Sequence, residues 1–360
     1  MDHKKTFIIA EAGVNHNGSL DRAREMIDVA VGAGVDAIKF QSFRAERLVT
    51  RETPKAEYQK KLTASAESQY EMLKRLELDK RSHRKLIEHC RKRNIQFLST
   101  PFDTESLGML MGEFGLPIVK ISSGDLTNAP LLLKAAQWKR LMILSTGMSS
   151  LADIEVALGV LAFGYTRADS RPSDRAFRQS FLSDKGQKAL RKMVTLLHCT
   201  TEYPAPFPEV NLRAMGVMHS AFGLPVGYSD HTTGIAVTVA AVALGASVIE
   251  KHFTLDRKLP GPDHQASIEP GELKMMVESI RQVESALGSG RKTSTPSEQK
   301  NRAVAQKSLI AAVAIRKGEC FTEANLTVKR PGVGLPPVRY WELLGKPAQK
   351  SYAPDEVILI

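Results

Sequence analysis

Polar side chains interrupt apolar sequence at Glu11, Lys39, Gln41, Lys120, His231, Glu250 and His252, each near the carboxyl end of a short run rich in Ile, Val, Leu or Phe. A buried parallel strand reads as a nearly continuous apolar run. An ionised group buried there without a partner is costly, so this set implies mutual pairing, a metal or a charged ligand. His231 and His252 lie 21 residues apart, one strand–helix repeat, which would place them at adjacent strand ends with Glu11 next in a closed ring. Two imidazoles and a carboxylate suit a divalent first-row cation with open positions, Mn2+ or Mg2+ where oxygen ligands dominate. Hydrogen-bonded structural histidines are the alternative.

Lys39 and Lys120 precede small hydroxyl or amide residues, in Lys39-Phe40-Gln41-Ser42 and Lys120-Ile121-Ser122-Ser123-Gly124. Further hydroxyls come from Ser99-Thr100-Pro101 and Ser145-Thr146-Gly147. Lysine charges, hydroxyl donors and glycine-opened backbone N–H groups are what a ligand carrying both phosphate and carboxylate requires. A Schiff-base lysine, which needs a depressed pKa, and surface lysines with buried stems are the competing readings.

The elements that must position these groups recur with a beat. Short apolar runs fall at 7–13, 35–41, 95–101, 118–124, 141–147, 194–200, 226–232 and 247–253. Helical spacing lies between them, as in 20–33 with Ala23, Met26, Ile27 and Ala30, and in 80–93 with Leu86, Ile87 and Cys90. Eight such units predict an α/β fold, a (β/α)8 barrel over residues 1–287, with its active site at the carboxyl end of the strands. The polar stretch 288–301 is expected to be a linker, and 302–360 a small mostly-β domain.

Composition is that of a soluble enzyme, with 42% hydrophobic and 25% charged residues among 360. The net charge of +11 could serve an anionic substrate, but it is spread along the chain without a nucleic-acid motif, so no nucleic acid is expected. The densest basic stretch, within 166–192, reads as a solvated surface insertion. The N-terminal apolar run is broken by Glu11, and three scattered cysteines form neither a CxxC pair nor a disulfide framework. These features predict a cytoplasmic protein that needs no membrane.

The segments Ala10-Glu11-Ala12-Gly13-Val14-Asn15-His16-Asn17-Gly18, Lys39-Phe40-Gln41, Ser99-Thr100-Pro101-Phe102-Asp103 and Lys120-Ile121-Ser122-Ser123-Gly124 are followed by Leu144-Ser145-Thr146-Gly147-Met148 and His198-Cys199-Thr200-Thr201-Glu202-Tyr203-Pro204. Tyr228-Ser229-Asp230-His231-Thr232, Glu250-Lys251-His252-Phe253 and Gly261-Pro262-Asp263-His264 complete the series. This ordered set resembles that of the sialic acid synthase family, which includes the N-acetylneuraminate, legionaminate and pseudaminate synthases. The C-terminal part is similar to the antifreeze-like (SAF, β-clip) domain that ends its members.

The resemblance implies condensation of phosphoenolpyruvate with an N-acetylated amino sugar, with C–O cleavage and release of phosphate. It implies that His231 and His252 hold Mn2+ or Mg2+, and that Lys39, Thr100, Lys120, Ser123, Ser145, Thr201 and Tyr203 line the phosphoenolpyruvate site. Gln41, Tyr203, Glu250 and Asp263 would surround the sugar, Lys39, His231, His252 and Asp263 would share in catalysis, and Glu11 would orient or deprotonate a water, a carboxylate that merely pairs with Lys39 being the alternative. It further implies a domain-swapped homodimer in which Arg330 meets the sugar N-acetyl group of the neighbouring subunit. Thr201 stands where some members carry asparagine, and 166–192 is longer than the usual connection. N-Acetylmannosamine is the leading acceptor, and 2,4-diacetamido-2,4,6-trideoxymannose, giving N,N'-diacetyllegionaminate, is the alternative. Sugar-phosphate synthases would need an additional arginine-rich anion site, which the strand ends lack. A carbohydrate-binding protein with a decayed barrel is opposed by the intact Glu11, Lys39, Lys120, His231 and His252.

Overall fold

The computed structural model describes residues 5–55, 67–167 and 170–359. Two compact units divide the chain, Met1–Gly288 and Ser289–Ile360.

In the first unit the expected strands form one parallel sheet: β1 (Phe7–Gly13), β2 (Ala37–Ser42), β3 (Gln96–Pro101), β4 (Ile118–Ile121), β5 (Leu141–Ser145), β6 (Val194–His198), β7 (Val226–Asp230) and β8 (Val248–His252). The order is β3-β2-β1-β8-β7-β6-β5-β4, so first and last strands pair, and β3 and β4 lie side by side. The ring is that of a (β/α)8 barrel. Its lumen holds Ile9, Ala37, Leu98, Ile143, Leu197 and Val248, while the larger core lies between strands and helices. Helices Leu20–Ala33 and Lys80–Arg93 have the bounds read from their apolar spacing, each closed by a left-handed residue, Gly34 and Asn94.

Several strands end earlier than the apolar runs suggested. β4 stops at Ile121 and passes into a 3-10 turn at Ser123–Asp125, and β6 and β7 stop at His198 and Asp230. The terminal residues of those runs therefore belong to turns above the barrel, where their side chains are released from strand alternation.

The insertion is not a loop. It contains helices Asp174–Leu182 and Asp184–Met193, with basic residues outward. Phe177 packs edge-on against Phe163 at 5.3 Å, over the point where Gly159 has no Cβ to obstruct its backbone. The cause lies in helix Leu151–Thr166, which buries residues on nearly every side and must be covered beyond the barrel.

In the second unit β9 (Ser308–Ala311) and β10 (Leu326–Lys329) pair antiparallel over a core containing Leu309, Ile315, Phe321, Tyr352 and Ile358. The stretch expected as a linker carries the start of helix Pro296–Ala305, opened by a reciprocal capping box of Thr295 and Glu298. Ile315 makes an isolated antiparallel bridge with Tyr352. Among the described residues no helix is long and apolar enough to cross a membrane.

Candidate active site

Parallel register brings the charged strand ends together. Glu11 lies beside Lys39 of β2 and beside His252 of β8. Lys39 Nζ is 2.6 Å from Glu11 Oε2 and 3.4 Å from Glu250 Oε2, and Lys120 Nζ is 3.4 Å from Glu250 Oε1. All four side chains are at most 5% exposed. Ser229 donates to Glu250 Oε1 at 2.8 Å, Thr100 accepts from Lys39 at 3.2 Å, and Ser145 accepts from Lys120 at 2.8 Å. Alternation sends Lys251 the opposite way, into a fully buried pair with Asp230 at 3.0 Å. At Gly13 (φ 51°) a Cβ would lie 3.2 Å from Glu11 Oε1 and 3.4 Å from Gln41 Nε2 and His252, so glycine suits both the left-handed backbone and the close approach of these side chains.

The electrostatics separate two carboxylates of one type. Burial pushes Glu11 up to about 7, only partly offset by Lys39 and reinforced by Glu250. Burial also raises Glu250, but Lys120 and Lys39 outweigh it and hold that carboxylate well below its usual range. Lys39 is lowered by burial yet raised overall by Glu11 and Glu250, whereas for Lys120 burial prevails and lowers it. Glu250 is thus a fixed anion, and Glu11 is poised to exchange a proton near neutrality.

A second cluster forms where β4, β5 and β6 end. Ser123 accepts from the Gly147 N–H at 3.0 Å and sits 3.1 Å from Cys199 Sγ. A Cβ on Gly147 would lie 2.2 Å from Thr201 Oγ1, so only glycine lets these hydroxyls converge. Thr201 Oγ1 is buried without a hydrogen-bond partner. An unsatisfied buried hydroxyl beside Lys120, Ser123 and Ser145 fits an anion.

The histidines meet under Tyr203. Their ring centroids are 5.6 Å apart, and Tyr203 lies 4.2 Å from His231 and 5.6 Å from His252. His231 Nδ1 donates to the Thr200 carbonyl at 2.6 Å, which leaves Nε2 as the acceptor nitrogen, 3.4 Å from Ser229 Oγ. His252 Nδ1 is buried without a partner. Burial lowers both pKa values, His252 also through His231 and Lys39, so both rings are neutral, as cation ligands must be. These two imidazoles fit a divalent ion. Glu11 does not join them as the residue spacing suggested: it is committed to Lys39, and among the described residues no three His, Cys, Asp or Glu side chains are placed to hold a metal. Water and substrate oxygens would complete the coordination.

One cavity of about 400 Å³ is lined by every residue expected at the site from the barrel: Glu11, Lys39, Gln41, Thr100, Lys120, Ser123 and Ser145, and then Thr201, Tyr203, His231, Glu250, His252 and Asp263. Burial alone raises the Asp263 carboxyl to about 6. Arg330 lies in the second unit, just beyond β10. Sequence reasoning overlooked Ser229, although it stands two residues before His231 in a quoted motif, and Cys199, which sits inside another. It also missed Met72 and Leu73 on helix Gln69–Leu76, whose signal was the Ser68/Glu71 capping box.

The NeuB family matches residues 26–292, and the SAF domain matches 306–360. The N,N'-diacetyllegionaminic acid synthase of Campylobacter jejuni is 53% identical, covering 99% of this chain and 99% of its own. The enzyme of the same name from Legionella pneumophila is 43% identical over 94% of this chain and 89% of its own. Among solved structures, the N-acetylneuraminic acid (sialic acid) synthetase of Leptospira borgpetersenii superposes with a TM-score of 0.69 at 35% identity, covering 83% of this chain and 90% of that one. Barrel, strand-end charges and C-terminal domain all agree with these matches, and the chain belongs to the NeuB family, with a SAF domain at its C-terminal end.

Proposed function

We propose that this chain condenses phosphoenolpyruvate with 2,4-diacetamido-2,4,6-trideoxymannose, forming N,N'-diacetyllegionaminate and inorganic phosphate. The observation that carries this reading is the 53% identity, along the full length of both chains, to the synthase named for that product. N-Acetylmannosamine came first in the reading of the sequence, although the motifs do not choose between the two acceptors. Those motifs surround the reacting end of the sugar, common to both acceptors, whereas identity across the whole chain includes the residues that read the far end.

The chemistry follows from the groups in the cavity. C3 of phosphoenolpyruvate attacks the aldehyde carbon of the open-chain sugar, water adds to the cationic C2 centre, and the C–O bond to phosphate breaks. Lys120 with Ser123, Ser145 and Thr201 would hold the phosphate, and Lys39 with Thr100 the carboxylate. Gln41, Tyr203, Glu250 and Asp263 would orient the sugar. Glu11, poised near neutrality, would orient the water and take up its proton. His231 and His252 would hold Mn2+ or Mg2+, which when bound polarises the aldehyde oxygen. The cysteine and charge pattern supports a cytoplasmic setting, and the resemblance supports a homodimer completed by Arg330.

The test is phosphate release and product mass with each acceptor at saturating phosphoenolpyruvate. The diacetamido sugar is expected to give the higher kcat/KM. A preference for N-acetylmannosamine would overturn the reading.

A further inference from the structure

The cavity has one wall that the condensation chemistry does not use. Helices Ala45–Leu48 and Gln69–Leu76, in the connection from β2 to β3, bring Leu48, Val49, Met72, Leu73 and Leu76 to it together with the amide of Gln69, and Val14 and Phe102 border them. Met72 is buried with Val14 and Phe43, and Leu48, Leu73 and Phe102 pack on that cluster. The wall is fixed in place. Glu77 accepts from the Ala45 N–H at 2.8 Å and pairs with Arg44 at 3.2 Å, and Lys74 bridges Glu46 at 3.0 Å and Glu77 at 3.2 Å, so one helix is tied to the other.

Position gives the wall its meaning. It follows β1, β2 and β3, on the side of Glu11 and Gln41, whereas the hydroxyl cradle follows β4, β5 and β6. A sugar whose aldehyde carbon meets phosphoenolpyruvate held in that cradle runs its C4–C6 end away from it. N-Acetylmannosamine would present hydroxyls to this surface, and a hydroxyl buried without a partner weakens binding by about five- to a hundred-fold. A methyl group gains about four-fold from the same burial.

We propose that Leu48, Val49, Met72 and Leu73 form the specificity wall for the acceptor, receiving its C6 methyl and the methyl of its C4 acetamido group and excluding sugars hydroxylated there. This inference rests on the reading given under Proposed function.

Leu48→Asn and Leu73→Asn, both at half-buried positions, are compared with the wild-type protein using both acceptors. Each substitution is expected to raise KM for the diacetamido sugar about ten-fold (~1.4 kcal/mol), to leave KM for phosphoenolpyruvate within about two-fold, and to shift the kcat/KM ratio toward N-acetylmannosamine. Val49→Thr keeps the side-chain shape, replaces one methyl with a hydroxyl, and gives the same readout where a leucine variant melts early. Equal losses for both acceptors, or none for either, would overturn the wall while leaving the proposed reaction intact. A wild-type preference for N-acetylmannosamine is read from the unaltered protein alone, and it would overturn both.

Discussion

Gly147→Ala tests the anion cradle at a position where the constraint is space. The added Cβ would lie 2.2 Å from Thr201 Oγ1, 2.9 Å from Ser123 Oγ and 3.1 Å from Cys199 Sγ. Unstrained contacts lie near 3.5–4.0 Å, so the Thr201 hydroxyl must retreat by about 1 Å or more. Overpacking of this kind costs about 1–3 kcal/mol of stability, a few degrees in Tm for a unit this large. The larger effect falls on the ligand. Each hydroxyl withdrawn from a charged phosphate costs about 1.5–3 kcal/mol, so KM for phosphoenolpyruvate should rise by roughly ten- to a hundred-fold while KM for the sugar stays nearly constant. Steady-state phosphate release, with each substrate varied in turn, reads both values. Thr201→Ala removes the nearest obstacle, so the double variant should be no worse than the worse single variant. An unchanged KM for phosphoenolpyruvate in Gly147→Ala, or strict additivity in the cycle, would refute the reasoning.

His231→Ala or His252→Ala should abolish turnover and leave the melting curve nearly unchanged, because an open catalytic site adds less to stability than a closed structural one; full activity after exhaustive chelation would exclude the cation. Asp263 has a carboxyl raised by burial to about 6, so its stabilising contribution is complete below about pH 4 and is lost as pH rises through 6. Asp263→Asn should therefore gain stability relative to the wild-type protein between pH 4 and 7, by on the order of 2–3 kcal/mol, in denaturant titrations at each pH. A constant difference across that range would contradict the assignment. Mixing inactive Arg330→Ala subunits with inactive His252→Ala subunits should restore part of the activity, and no recovery after confirmed subunit exchange would place the arginine's action within its own chain.

Much of this protein was legible before folding, because the relevant signals are local. The apolar runs from Phe7 to His252 mark strands, the stripe Ala23, Met26, Ile27 and Ala30 marks a helix face, and charges at the run ends mark the lining of the cavity. The motifs around Glu11, Lys39, Lys120 and His231 carried the family. Other features depended on distance through space. That Glu11 faces Lys39 rather than joining the histidines follows from the register of β1 on β2 and from side-chain reach, neither of which spacing encodes. The different pKa values of Glu11 and Glu250 arise from how two lysines are shared between them within a buried volume. The helical form of residues 174–193 is imposed by an apolar helix that needs a cover. The apolar wall joins Val14, Leu48, Met72 and Phe102, which are distant in sequence and unremarkable one by one. Periodicity and residue type determined the strands, the helices and the charged groups at the strand ends. Packing alone decided which of those groups touch, which stay charged and what the cavity admits, because contact and dielectric are properties of the assembled volume.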